Sequence, residues 1–153
     1  MELYFAYGSN LDIEQVNRRC GNSGNVRKVS IGYLPEHKLA FTQYYPDWGG
    51  GVADVVKSPN SRVWGILYEL SKEALELLDK YEGYPKDYTR TKHTIITLDG
   101  HPSLAWVYSV LRKDGDFIAP SQKYIDIIKR TAKESGFPKD YLSYLDSIKT
   151  VSV

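Results

Sequence analysis

The stretch YFAYGSNL, residues 4–11, passes from four apolar or aromatic residues directly into Gly, Ser and Asn. Residues 3–7 predict a short buried strand, and residues 12–19 predict a short helix that begins at Asn10 or Asp12. A strand that runs straight into a helix exposes consecutive backbone N–H groups, which form a concave site for a carboxylate or an oxyanion. The alternative is a tight turn in which Asn10 only caps the helix. Tyr7 to Asn10 is therefore the first candidate site.

Strand patterns dominate the chain from this stretch to residue 70. Residues 39–45 (LAFTQYY) and 62–70 (RVWGILYEL) are rich in aromatic and apolar residues, and residues 33–37 (YLPEH) predict a turn between strands. The three glycines at 49–51 remove every side chain from a short piece of backbone. They predict either a close approach of another segment or a sharp bend.

Helix and hairpin signals follow in the second half. Ser71 is a predicted N-cap, and the helix after it ends at EGYP, residues 82–85. The DG pair at 99–100 predicts a hairpin, and two further helices are predicted after Ser121 and Pro138. The pattern predicts six or seven strands in succession and four helices. Strands clustered in this way favour a mixed α+β fold, which we expect to form one domain over residues 1–153.

The composition argues against two classes of binding partner, nucleic acids and membranes. Lys and Arg number 20 against 19 Asp and Glu, and the charges are interspersed, so the chain lacks the basic stripe typical of nucleic-acid binding. No apolar run approaches the ~20 residues of a membrane helix. The one cysteine, Cys20, excludes an internal disulfide. We therefore expect a cytoplasmic protein with no membrane or nucleic-acid partner.

Glu82 is the second candidate site. It lies at the predicted end of a helix, between Tyr81 and Gly83, and Tyr84 and Tyr88 are close in sequence. A carboxyl group that is desolvated among aromatic rings has a raised pKa and can accept a proton near neutral pH. The alternative is a solvated glutamate at a helix end. Glu69, Glu76 and Asp79 are weaker candidates.

Other reactive residues do not form a pattern. Cys20 could act as a nucleophile with His37, His93 or His101 as its base, but their spacing brings none of them together, so a structural role is favoured. One cysteine and three scattered histidines predict no metal site.

Four ordered motifs resemble the γ-glutamylcyclotransferase family, also called AIG2-like. They are YFAYGSNL, then GGGVADVVKSPNSRVWGILYEL at 49–70, then LDKYEGY at 78–84 followed by Tyr88, and APSQKYIDIIKRTAKESGFPKDYLSYL at 119–145. The resemblance covers most of the chain. It implies a mostly antiparallel sheet curled into a small β-barrel with surrounding helices, and a cytosolic enzyme without a cofactor.

The resemblance also implies a reaction and a site. Family members convert a γ-glutamyl amide into 5-oxoproline and a free amino acid or amine. By analogy Glu82 is the general acid/base, the loop Tyr7, Gly8, Ser9, Asn10 and Leu11 holds the glutamyl group, and Tyr88 and Tyr124 line the pocket. The alternatives are a γ-glutamylamine or other specialised amide as substrate, and a domain that binds a small molecule or a protein without catalysis. Some members are dimers, and an exposed Trp48 would support a homodimer.

Overall fold

In the computed structural model of the chain, which describes residues 1–22 and 26–152, five strands close into a barrel. The strands are β1 (Glu2–Ala6), β2 (Val26–Tyr45), β3 (Gly50–Leu70), β4 (Tyr88–Thr97) and β5 (Pro102–Val110). Their order around the barrel is β1-β3-β2-β4-β5, and the pairs are antiparallel except for β1 and β5, which pair in parallel at Tyr4 and Trp106. The predicted α+β class and the mostly antiparallel barrel implied by the resemblance are confirmed.

The barrel is dominated by one long hairpin of β2 and β3, and here the sequence prediction was wrong in two respects. Residues 33–37 do not form a turn, because Pro35 pairs with Arg62 inside the continuous strand β2. The register of β2 against β3 shifts between Pro35 and His37, where Glu36 has a φ of 58°. These residues therefore form a β-bulge within β2. The predicted count of six or seven strands falls to five over the described residues, because several short predicted strands are parts of this hairpin.

The glycines at the start of β3 allow another segment to approach closely. This is the first of the two alternatives that the sequence predicts for residues 49–51. The N–H of Gly51 donates to the carbonyl of Ala119 over 2.9 Å. A Cβ on Gly50 or Gly51 would overlap the backbone of residues 118–121. The segment that leads into the third helix therefore lies flat on β3.

Over the described residues four α-helices flank the barrel, and they begin where the sequence predicts. They are α1 (Ile13–Arg19), α2 (Lys72–Glu82), α3 (Gln122–Glu134) and α4 (Lys139–Asp146). Ser71 and Ser121 cap α2 and α3 through their side chains, and Gly83 ends α2 with a left-handed φ of 74°. The hairpin predicted at residues 99–100 joins β4 to β5.

The hydrophobic core fills the barrel and continues beneath the helices. From α3, Ile125, Ile128 and Ala132 are fully buried, which matches the apolar face expected from their spacing. From α4, Leu145 joins the same core. Over the described residues, none of the helices is long and apolar enough to cross a membrane.

Candidate active site

A cavity of about 430 Å³ lies beside the loop that follows β1. Seven of the eight site residues expected from the sequence line it: Tyr7, Gly8, Ser9, Asn10, Glu82, Tyr88 and Tyr124. Leu11 does not, because its side chain is buried in the core, while its carbonyl accepts a hydrogen bond from the Tyr68 hydroxyl over 3.0 Å. The fold thus brings residues from both ends of the chain and its middle to one cavity.

The loop after β1 supplies free backbone donors. Ser9–Leu11 form a single 3₁₀ turn, in which the N–H of Leu11 donates to the carbonyl of Gly8 over 3.0 Å. Within the described residues, the N–H groups of Gly8, Ser9 and Asn10 have no acceptor. A Cβ on Gly8 would lie 3.0 Å from Ala53 Cβ, so a larger residue would crowd the opposite wall. The loop can therefore donate hydrogen bonds to an anionic group in the cavity.

Asn10 links this loop to Glu82. Its Nδ2 donates to the Tyr4 hydroxyl over 2.8 Å and to Glu82 Oε1 over 3.4 Å. Its Oδ1 accepts from Arg19 Nη1 over 2.5 Å. The helix cap is Asp12, whose carboxylate accepts from the N–H of Glu14, so the alternative of Asn10 as a mere cap is wrong.

Glu82 is the last residue of α2, and its partly buried side chain lines the cavity. Burial raises the pKa of its carboxyl group to about 7, against the opposing influence of the Arg19 charge and the Asn10 hydrogen bond. Glu82 is therefore not the solvated glutamate of the alternative interpretation. Tyr84, expected beside it, is exposed and its ring instead faces the guanidinium of Arg90 at 5.1 Å.

Tyr88 and Tyr124 are held by the backbone of the same residue of β3. The Tyr88 hydroxyl donates to the carbonyl of Ala53 over 3.0 Å, and the N–H of Ala53 donates to the Tyr124 hydroxyl over 2.9 Å. Burial raises the pKa of both phenols, so they stay neutral. The hydroxyl proton of Tyr124 is free to donate to a ligand, whereas that of Tyr88 is already donated to Ala53 and its oxygen is left to accept. Tyrosines form much of the wall, with eight lining it: Tyr4, Tyr7, Tyr44, Tyr45, Tyr81, Tyr88, Tyr108 and Tyr124.

Sequence reasoning missed Arg19, which also lines the cavity. Arg19 contacts the loop through Ser9 and Asn10, and its guanidinium lies 4.1 Å from the ring centre of Tyr81. The β2–β3 turn brings Asp47 and Trp48 to the cavity. Trp48 is partly buried against Tyr124, with ring centres 5.0 Å apart, and so does not provide the exposed dimer surface suggested for it.

The remaining reactive residues lie elsewhere. Cys20 is fully buried, and burial raises the pKa of its thiol to about 11, so it is a poor nucleophile. The rings of His37 and His93 pack against each other at 5.3 Å and do not line the cavity. Asp79 is paired with Arg90 over 2.7 Å, which indicates a structural role. Over the described ranges no group of His, Cys, Asp and Glu is arranged to hold a metal ion.

The chain is similar to known proteins in sequence and in structure. Residues 62–145 match the AIG2-like family. The chain is 33% identical to a γ-glutamylcyclotransferase of Bos taurus over 152 residues, which cover 96% of this chain and 78% of the relative. The Homo sapiens protein of the same name is 32% identical over the same shares of each chain. A solved structure described as a γ-glutamyl cyclotransferase has a TM-score of 0.90 and 30% identity, and the match covers 99% of this chain and 90% of that one.

Proposed function

Because the chain belongs to the γ-glutamylcyclotransferase family, we propose that it converts γ-glutamyl amides into 5-oxoproline and a free amine or amino acid, with Glu82 as the general acid/base. The observation that carries the proposal is the desolvated carboxyl group of Glu82 on a cavity wall, next to a loop of unpaired N–H groups.

The reaction is a ring closure within the substrate. The α-amine attacks the γ-carbonyl carbon, the new C–N bond closes a five-membered ring, and the bond to the leaving nitrogen breaks. Because both reacting groups belong to one molecule, proximity is largely supplied by the substrate. The enzyme has to deprotonate the ammonium group, stabilise the oxyanion and protonate the leaving nitrogen.

Glu82 is suited to move the proton in both directions. An ordinary glutamate has a pKa roughly 3.5 units below that of an α-amino group, a gap of about 5 kcal/mol against proton transfer. The raised pKa of about 7 reduces the gap to roughly one pH unit. Glu82 then takes the proton from the ammonium group and returns it to the departing amine.

The loop and the phenols complete the site. The N–H groups of Gly8, Ser9 and Asn10 stabilise the negative charges of the substrate, including the oxyanion that develops on the γ-carbonyl. Tyr88 and Tyr124, fixed through Ala53, orient the glutamyl group. The β2–β3 turn and Asp87 also line the cavity, and we propose that they contact the leaving amine.

The cellular setting belongs to the same proposal. A chain with one cysteine needs no oxidising compartment, and Cys20 is buried as a free thiol, which fits a cytoplasmic enzyme. The substrates that we propose for the enzyme are small γ-glutamyl compounds.

The test is mass-spectrometric detection of 5-oxoproline after incubation with γ-glutamyl amino acids, γ-glutamyl amines and glutathione. We expect the unmodified protein to form product and Glu82→Gln to lose about 10²- to 10⁴-fold in kcat. Glu76→Gln is the matched control, because Glu76 is an exposed carboxylate on the same helix. A folded Glu82→Gln protein with full turnover would refute the role of Glu82, and no product from any compound would refute the activity.

A further inference from the structure

Within the part of the chain that the structure describes, Arg19 is the cation that lines the cavity. One residue, Asn10, connects it to Glu82 through hydrogen bonds. Its Nη1 donates to Ser9 Oγ over 2.9 Å and to Asn10 Oδ1 over 2.5 Å. Since the amide oxygen of Asn10 is held there, the amide nitrogen is turned towards Tyr4 and Glu82. The order of contacts is therefore Arg19 to Asn10 to Glu82.

The charge of Arg19 is not neutralised by a protein carboxylate. Arg27, Arg90 and Arg130 each form an ion pair with an Asp or Glu, whereas Arg19 forms none within the part of the chain that the structure describes. Its guanidinium instead stacks on the ring of Tyr81, the neighbour of Glu82 in sequence. A cation that is held close to a carboxyl group favours the ionised form of that group.

Few other charges face Glu82. Asp79, on the same helix, is engaged by Arg90 at 2.7 Å and by the Tyr108 hydroxyl at 2.6 Å. The remaining titratable groups of the cavity wall are the carboxylates of Asp47, on the β2–β3 turn, and Asp87, just before β4, together with tyrosine phenols. The phenols that interact with Glu82 come from β1 and the loop after it, α2, β4, β5 and α3, and all have raised pKa values: Tyr4, Tyr7, Tyr81, Tyr88, Tyr108 and Tyr124. These phenols are neutral at physiological pH, so Arg19 is the cation that influences the Glu82 carboxyl group.

We propose that Arg19 is a positioning residue for the reaction, which orients Glu82 through the side chain of Asn10 and sets the pH range in which Glu82 is an active base. The proposal rests on the proposed function of Glu82. It assigns Arg19 two separable contributions, the fork of donors that fixes the Asn10 amide and the positive charge that favours the ionised carboxylate.

Two substitutions separate these contributions. Arg19→Lys keeps the charge and loses the planar fork, so we expect kcat to fall about tenfold while the acid limb of the pH profile stays in place. Arg19→Gln loses both, so we expect a similar or larger fall in kcat together with a displacement of the acid limb to higher pH by about one pH unit. The measurement is 5-oxoproline formation from one γ-glutamyl substrate between pH 5 and pH 9, with kcat and KM determined at each pH.

Arg18→Gln is the matched control, because Arg18 is the adjacent residue of α1 and its side chain is exposed. It removes the same charge from the protein, and we expect it to leave kcat and the acid limb as they are. If Arg18→Gln moves the limb as far as Arg19→Gln does, the effect comes from net charge and the proposal is wrong.

A double-mutant cycle tests the route through Asn10. If Arg19 acts through Asn10, the loss of kcat in the double variant Asn10→Ala with Arg19→Lys equals the loss in Asn10→Ala alone. Additive losses would contradict this route. If Arg19→Gln does not fold, Arg19→Lys and the cycle still decide the matter, because wild-type kcat in Arg19→Lys would overturn the positioning role.

Failure of this inference is distinct from failure of the proposed function. A protein that forms 5-oxoproline, depends on Glu82 and is indifferent to Arg19 refutes the inference alone. A protein that forms no product, or that keeps its turnover in Glu82→Gln, refutes the function on which the inference rests.

Discussion

In the proposed reaction, Glu82 has to satisfy two opposing demands within one side chain. Desolvation raises its pKa to about 7, which suits proton exchange with an amine, but the same desolvation disfavours the ionised form that the reaction starts from. The hydrogen bond from Asn10 and the charge of Arg19 favour the ionised form and limit this penalty. With a pKa of about 7, roughly half of the Glu82 carboxyl groups are ionised at neutral pH, and this ionisation in a desolvated site costs folding stability.

The pH dependence of activity follows from this balance. Only the ionised carboxylate accepts a proton, so kcat/KM is expected to rise as pH increases through about 7, with a slope of about tenfold per pH unit below it. Steady-state rates of 5-oxoproline formation from pH 5 to pH 9 measure the limb. An acid limb near pH 4.5, the ordinary value for a glutamate, would contradict a desolvated base.

The same pKa predicts how stability changes with pH. A carboxyl group whose pKa is raised by folding stabilises the native state below its unfolded pKa, and this contribution is lost as pH rises from about 4.5 to about 7. Within that interval each pH unit removes at most about 1.4 kcal/mol from the free energy of unfolding. The Glu82→Gln variant has no ionisable group at this position, so its free energy of unfolding does not decline in this way. We therefore expect the variant to gain stability relative to the unmodified protein between pH 5 and pH 8, as measured by denaturant unfolding. Parallel stability curves for the two proteins would rule out the raised pKa.

At the residue scale the sequence predicted the residues that line the cavity better than their supports. Glu82 was a candidate because it follows Tyr81 and lies close in sequence to Tyr84 and Tyr88, and its proposed role came from the family resemblance. The loop was a candidate because a strand ended in small polar residues. Arg19 gave no such signal. It lies in the polar last turn of a short helix, where the spacing does not tell whether a side chain faces solvent or a cavity, and its partner Asn10 is positioned by tertiary structure.

Among the elements, the start of β3 controls how α3 reaches the cavity. The backbone of residues 118–121 lies on Gly50 and Gly51, and α3 begins directly afterwards, so Tyr124 occupies its place in the first turn. Its hydroxyl then meets the N–H of Ala53, two residues beyond Gly51 on the same strand. A short piece of strand without side chains thus aligns one wall of the cavity.

Gly51→Ala tests this arrangement. The added Cβ would overlap the carbonyl of Ile118, so we expect a loss of about 1–3 kcal/mol in the free energy of unfolding and a rise in KM as Tyr124 is displaced. Gly115→Ala is the control, because its Cβ would meet only the side-chain end of Ile118 at 3.3 Å. Thermal unfolding and KM are the measurements, and equal behaviour of the two variants would contradict the role of Gly51.

Asp54 ties several elements together from a fully buried position on β3. Its carboxylate accepts from Thr42 Oγ1, from the N–H groups of Val55 and Val110, and from Lys113 Nζ, over 2.7–2.9 Å. Asp54→Ala leaves these donors without their acceptor, and we expect it to destabilise the fold by about 2–4 kcal/mol. Asp116→Ala, at an exposed aspartate, serves as control. Chemical denaturation distinguishes them, and a loss in Asp54→Ala no larger than in the control would argue against the network.

Element types were predictable from the sequence, whereas strand lengths were not. Caps such as Ser71 and Ser121 act locally, so the helices could be located from a few residues. Strands β2 and β3 run for 20 and 21 residues. Such lengths exceed the five or six residues of an average strand. Residues around Pro35 were interpreted as a turn because the effect of a proline on strand pairing depends on the partner strand.

At the scale of the whole molecule, the cavity joins the barrel to α1, α2 and α3. The loop after β1, α1, the β2–β3 turn, α2, β4, β5 and α3 all contribute to its lining, whereas α4 packs against α3 and β2 away from it. A ligand in the cavity contacts most of the fold at once. Occupancy should therefore stabilise the native state as a unit.

Ligand-induced stabilisation is the prediction at this scale. In Glu82→Gln, whose turnover we expect to be about 10²- to 10⁴-fold slower, a γ-glutamyl dipeptide at one hundred times its Kd is expected to raise Tm by roughly 5–10 °C. The α-linked isomer of the same dipeptide is the control, because its reactive groups are spaced differently. Differential scanning fluorimetry measures both, and an unchanged Tm with the γ-linked peptide would refute binding in this cavity.

The tyrosine wall has a consequence for the thermodynamics of recognition. Of the eight tyrosines that line the cavity, five are buried: Tyr4, Tyr7, Tyr88, Tyr108 and Tyr124. A tyrosine side chain has two main rotatable bonds, and these rings are packed among one another and tied to backbone or side-chain partners. The wall therefore has little conformational entropy left to lose. Association with a small, flexible substrate is then opposed mainly by the ordering of the substrate itself, so a cavity of modest size recognises it with a preorganised surface.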